Sequence, residues 1–239
     1  MTCYAKGKVT NIYGNQKSAV LREEEWISRW EKRQIGFHKP TVDMDLVKNK
    51  EKFLKPNCRV FIPLCGKTVD IDFLADEGHD VVGIEFSETA IKDFFHEHSI
   101  KYKRSQHPTA PYEIFKGTDK KIAIYKGDFF GINSAILGKF DAVWDRASFE
   151  SVHPSLQMKY ADVMNDLVKS DGKYLLSTFN WESSFPGPPF SISQDDIDTA
   201  LGRYFKSILL ETFEVRENAL LMRTGAKSQL IHVNLLIRK

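Results

Sequence analysis

Two residues spaced 19 apart carry the most chemical information: Gly66, in the run Phe61-Ile62-Pro63-Leu64-Cys65-Gly66-Lys67, and Glu85, which ends DVVGIE. Each follows or closes a β-rich run, and in open α/β sheets ligands gather at the carboxyl ends of the strands. A glycine there lets backbone approach a ligand closely, and a carboxylate ending the next strand is placed to accept hydrogen bonds from a ribose diol. Gly66 alone reads as a turn glycine; strand, glycine, helix, strand and acid in that order point to ligand binding. Two further strand ends add chemistry. Gly127-Asp128-Phe129-Phe130 offers an acid or backbone for an adenine amino group and aromatics to bury its ring, although a turn aspartate explains Asp128 equally well. Asp145-Arg146 follows FDAVW, where a reacting centre would lie. As a surface ion pair it would contribute little, but functional residues concentrate at such strand ends.

Three ligands compete for the first loop. A dinucleotide needs several glycines around its pyrophosphate, and the G-x-G-x-x-G spacing is absent. Gly66-Lys67-Thr68 matches the tail of a triphosphate-binding loop, yet Phe61 stands where its first glycine belongs. S-adenosylmethionine has no phosphate, so its loop needs fewer glycines while the ribose acid stays necessary. It fits best.

The elements that must position these residues follow from periodicity. REEEWISRWEKRQ has acids early, bases late and Trp26 and Trp30 one turn apart, predicting a helix; a second runs from Asp43 to Leu54 and stops before Pro56. From Cys58 strands and helices alternate: RVFIPL, TVDIDFLADEG, DVVGIEF, then ETAIKDFFHEHS capped by Ser87. YEIFKGTDKKIAIYKGDFF predicts a hairpin around Gly117-Thr118-Asp119 whose second arm enters the sheet. FDAVWDR, the helix LQMKYADVMNDLVKS, the strand GKYLLSTFN and a short helix near Asp195–Tyr204 follow, and SILLETFEV and LIHVNLLIRK close the chain with no helix between them. Parallel strands need helical crossovers, so this order predicts an α/β, Rossmann-like, mostly parallel sheet with helices on both faces and one antiparallel C-terminal strand.

At 239 residues the chain is expected to form one domain, 22–239, behind an aperiodic N-terminal extension over 1–21, with a helical segment at 22–56 as a lid. It is 42% hydrophobic, which excludes a disordered chain, and its 34 basic and 32 acidic side chains leave +2, too little to drive binding to nucleic acid or acidic lipid. A small-molecule partner and a monomer are expected. Cys3, Cys58 and Cys65 suggest neither a disulfide framework nor a metal cluster, and no run approaches the roughly 18 to 20 apolar residues of a membrane span, so a cytoplasmic protein is expected.

RVFIPLCGKTVDIDFLADEGHDVVGIEFSE, GKFDAVWDRAS and PGPPF, with the WxxxW helix and GFHK upstream, resemble the thiopurine S-methyltransferase family from about Glu24 to the C-terminus. The resemblance implies a class I methyltransferase fold, a seven-stranded sheet with a reversed last strand, and S-adenosylmethionine as methyl donor, with S-adenosylhomocysteine as product. Carried across by position, it implies cofactor contacts at Trp26, Trp30, Phe37, Leu64, Gly66 and Glu85, with Phe86, Asp128 and Phe129 bordering the adenine and Arg146 beside the substrate. Aromatic or heterocyclic thiols are the expected acceptors; sulfide, selenium, halide or amine acceptors are the alternative. Three departures bear on the acceptor. Asp128 replaces a small hydroxyl residue; ASFESVHP replaces the usual GALVAINP, bringing Ser148, Glu150 and His153 to the substrate side; and Arg223 is the nearest counterpart of a second substrate-side arginine. For an amine or hydroxyl acceptor a base is needed, with His38, Glu150 and His153 as candidates.

Overall fold

The computed structural model describes residues 22–239; the extension expected over 1–21 lies outside the described residues. The elements run α1 (Glu23–Glu31), α2 (Met44–Phe53), β1 (Arg59–Ile62), α3 (Asp70–Asp76), β2 (Asp80–Glu85), α4 (Glu88–Glu97), β3 (Tyr102–Gln106), β4 (Glu113–Gly117), β5 (Ile122–Lys126), α5 (Ser134–Leu137), β6 (Phe140–Arg146), α6 (Pro154–Leu167), β7 (Val168–Asn180), α7 (Gln194–Ala200), β8 (Phe205–Val215), α8 (Ala219–Thr224) and β9 (Gln229–Arg238). Ser87 caps α4 as expected, accepting from the Ala90 N–H, and Asp43 caps α2, accepting from the Asp45 N–H.

The strands form one sheet in the order β3-β4-β5-β2-β1-β6-β7-β9-β8. Seven of them, β5 to β8 in that order, make the expected sheet, with β9 antiparallel to both neighbours. Two more extend it, so the full sheet has nine strands rather than seven: β4 pairs antiparallel with β5, and β3 with β4. β3 escapes sequence reading because all five of its residues are exposed and none repeats an apolar period. The closing hairpin also differs from expectation, since α8 sits in its connection.

Period-two alternation sends successive side chains to opposite faces. On β1, Val60 and Ile62 join a core with α2, α3 and α4, while Phe61 joins the core beneath α6 and α7; Trp144 and Val143 of β6 divide the same way. The chain reverses direction across the sheet between β1, which pairs with β2, and β6, on its other side. A crevice therefore opens beyond the carboxyl ends of β1 and β6. No helix among the described residues is long and apolar enough to cross a membrane.

The same alternation separates Asp145 from Arg146. Asp145 is fully buried, accepting from the hydroxyls of Tyr160, at 2.6 Å, and Tyr174, and from the Phe149 N–H. It anchors α6 and the turn after β6 to the strand and forms no pair with Arg146. Asp145→Ala would remove the acceptor shared by two buried hydroxyls and the Phe149 N–H, and urea unfolding should show a loss of about 2–4 kcal/mol.

Candidate active site

The crevice holds a cavity of about 500 Å³ lined by the ends of β1, β2 and β6, the α1 segment and α8. Its floor is the loop after β1. Leu64 (φ 42°) and Gly66 (φ 52°) both adopt left-handed backbone, which turns the chain sharply out of the strand. The Glu85 carboxylate holds that turn: one oxygen accepts from the Gly66 N–H at 2.9 Å and the other from the Ser87 N–H at 2.8 Å. Burial pushes the Glu85 pKa up, while these N–H groups pull it down by favouring the ionised form. A carboxylate has about four lone-pair sites, so acceptor capacity remains on a side chain that lines the cavity.

The triphosphate alternative fails on geometry. Lys67 Nζ is bound by Glu97 of α4 at 2.5 Å, and Thr68 Oγ1 donates to Asp70, which leaves a carboxylate at the opening of α3 where a phosphate would sit.

The roof comes from α1 and the turn after it. Trp30, 3% exposed, lies directly over Gly66; a Cβ there would come within 2.8 Å of its ring. Phe37 packs edge-on against both tryptophans, with ring centroids 6.0 Å from Trp26 and 5.5 Å from Trp30. An Arg33–Asp93 ion pair ties the turn after α1 to α4. Arg29, buried and stacked 4.9 Å from the Trp26 ring, also lines the cavity; its three-residue spacing from Trp26 puts the two on the same side of α1, a signal present in the sequence.

At one end Phe86, Asp128, Phe129 and Phe130 form the wall. Asp128 caps the short turn Phe129–Gly131 through the Phe130 N–H at 2.8 Å, and its carbonyl accepts from Tyr112 Oη. Phe129 is stacked on Tyr160 and belongs as much to the core as to the cavity.

The opposite wall is basic. Arg146 Nη1 donates to the Phe37 carbonyl at 3.1 Å, its guanidinium lies over the Phe179 ring, and its Nε is 3.5 Å from the Asp43 carboxylate. Arg223, on α8, lines the same cavity, as do His38, Glu150 and His153. Burial lowers the pKa of His38, reinforced by Lys67, and burial alone lowers that of His153, so both imidazoles are neutral near pH 7. All ten residues carried across by position, Trp26, Trp30, Phe37, Leu64, Gly66, Glu85, Phe86, Asp128, Phe129 and Arg146, converge on this one cavity.

Residues 21–233 match the family profile described as Thiopurine S-methyltransferase (TPMT). A "Probable thiopurine S-methyltransferase" of Danio rerio is 39% identical over 203 residues, 83% of this chain and 88% of that protein. The thiopurine S-methyltransferase of Bos taurus is 38% identical over 206 residues, 84% of each. The chain belongs to the thiopurine S-methyltransferase family. Among solved structures, the Burkholderia thailandensis 1,6-didemethyltoxoflavin-N1-methyltransferase, with S-adenosylhomocysteine bound, aligns with a TM-score of 0.59 at 12% identity, covering 98% of this chain and 100% of that one. At that identity the likeness bears on the fold, which is that of class I methyltransferases.

Family membership and cavity geometry together make Gly66 a sensitive position. Gly66→Ala forces a side chain onto left-handed backbone and into Trp30. Thermal melting should show a loss of about 1–2 kcal/mol, with tryptophan fluorescence reporting displacement of the α1 roof.

Proposed function

We propose that this chain is an S-adenosylmethionine-dependent methyltransferase that acts on small-molecule thiols. The observation that carries the reading is Glu85: a buried carboxylate, already clamped by two backbone N–H groups, with acceptor capacity left on the cavity between Gly66 and Trp30. These residues fit an adenosyl cofactor. Glu85 would hold the ribose hydroxyls; Phe86, Asp128 and Phe129 would border the adenine; Trp26, Trp30, Phe37, Leu64 and Gly66 would enclose the remainder. The bound cofactor supplies an electrophilic methyl group on a sulfonium sulfur.

The protein's own contribution is alignment and dryness. An anionic thiolate meeting a cationic methyl donor gives neutral products, so a water-excluding cavity favours the point at which the charges cancel. The aromatic roof of α1 keeps water out, in the manner of a lid. Arg146 attracts the anionic acceptor and favours its ionised form; Phe37 and Asp43 hold the guanidinium in place. Arg223 adds a second positive charge on the same wall. We take the enzyme to be monomeric and cytosolic; the free, buried thiols of Cys58 and Cys65 suit a reducing compartment.

Titration calorimetry should detect binding of both S-adenosylmethionine and S-adenosylhomocysteine; no binding by either overturns the reading. Glu85→Ala should weaken S-adenosylhomocysteine by about 1–3 kcal/mol, and unchanged affinity would show that the ribose lies elsewhere. Arg146→Ala should lower kcat/KM for an aromatic thiol by about 10- to 100-fold, the scale of one lost charge-assisted contact, while leaving cofactor affinity intact. A loss confined to cofactor binding would misplace Arg146.

A further inference from the structure

The cavity contains a carboxyl group that cofactor binding and Arg146 do not explain. Glu150 lies on the short turn Phe149–Ser151, four residues past Arg146, and is 1% exposed. Its backbone is fixed from several sides: the Phe190 N–H donates to its carbonyl at 2.7 Å, the neighbouring Phe149 N–H donates to Asp145, and Ser148 Oγ donates to the Pro63 carbonyl at 2.6 Å. Ala147, at φ 68°, bends the chain into this turn. The head group is the opposite. Neither carboxyl oxygen has a hydrogen-bond partner among the described residues, with the Phe179 backbone approaching closely enough only to favour the ionised form slightly. A buried, unpaired carboxyl is costly, and this one belongs to a residue that lines the cavity.

We infer that Glu150 is the proton acceptor for a thiol that enters the cavity un-ionised, extending the reaction to aliphatic and benzylic thiols; this rests on the thiol-methyltransferase reading above. In the step, the S–H bond breaks, its electron pair stays on sulfur, and the proton forms an O–H bond with a Glu150 oxygen. Arg146 faces the sulfur that has just become an anion, and the proton leaves Glu150 for solvent after the product departs.

Basicity supports the assignment. Burial, the largest influence, raises the Glu150 pKa from 4.5 to about 8, against the attraction of Arg146 and Lys39 and with a smaller upward push from Asp145. A carboxylate of pKa 4.5 would take a proton from a thiol of pKa about 8.5 roughly once in 10⁴ encounters, whereas one of about 8 is nearly matched to it. The two imidazoles of the cavity lie further in pKa from the thiol: burial holds His38 and His153 below their ordinary value. Because the carboxylate form grows as pH rises through about 8, kcat/KM for an un-ionised thiol should climb with pH up to that point and then level off.

The test compares phenylmethanethiol, protonated near neutral pH, with para-nitrobenzenethiol, already ionised, on the full chain and on Glu150→Gln. Glu150→Gln should lower kcat/KM for phenylmethanethiol by about 10²- to 10⁴-fold and make its rate follow the thiol's own ionisation, while para-nitrobenzenethiol changes little. On the S-adenosylhomocysteine-loaded protein at about pH 8, the ultraviolet thiolate band of bound phenylmethanethiol should appear with the natural chain and be missing with the variant. That band in the natural chain needs no variant to fold, and its absence overturns the assignment. Equal losses for both thiols, or no loss for either, overturn it too. If the natural chain methylates neither thiol, the thiol reading fails and the role of Glu150 fails with it.

Discussion

The site depends on one carboxylate shared between two stretches of backbone. Glu85 ends β2, and its oxygens take the N–H groups of Gly66 and Ser87, joining the loop after β1 to the opening of α4. Without it the left-handed turn at Leu64 and Gly66 has no internal partner for its N–H, and the surface on which Trp30 rests is no longer defined. Charge-assisted bonds of this kind are stronger than neutral ones and offset part of the cost of burying the charge, which still raises the Glu85 pKa on balance. The residue that shapes the loop is also the one with acceptor capacity left for a ligand. Shape and recognition are thus set by a single group.

β6 applies the same economy to the opposite wall. Alternation along the strand sends Asp145 into the core, where it ties Tyr160 and Tyr174, and sends Arg146 toward Phe37 and the cavity. The anchored turn that follows delivers Glu150 with its backbone bonded and its head group unpaired. A rigid scaffold presenting an unsatisfied polar group is what pre-organised chemistry requires, because no rearrangement is needed when the acceptor arrives.

Much of this was legible in the sequence. The βα alternation from Cys58 gave the parallel sheet, since buried parallel strands read as short apolar runs, and Gly66 with Glu85 marked the ligand crevice because only a close-approach turn and an acid recur at those strand ends. The Trp26–Trp30 spacing marked one helix face; that this face meets Gly66 and not only core was a tertiary fact. Three features were hidden. β3 is exposed along its length and exists through its pairing with β4, so no periodicity announces it. Asp145-Arg146 read as a pair because adjacency in sequence says nothing of opposite strand faces. Glu150 read as one of several polar candidates, since only the packed structure shows it buried and unpartnered.

A crystal structure of the chain with S-adenosylhomocysteine bound tests the central claim most directly. The expected result is a ribose whose hydroxyls donate to Glu85 while Gly66 and Ser87 keep their N–H bonds to the same carboxylate, with the ligand's sulfur open toward Arg146 and Glu150. A ligand seated away from Glu85, or a Glu85 side chain swung out of the Gly66 turn to admit it, would contradict the claim that one carboxylate both builds and reads the site.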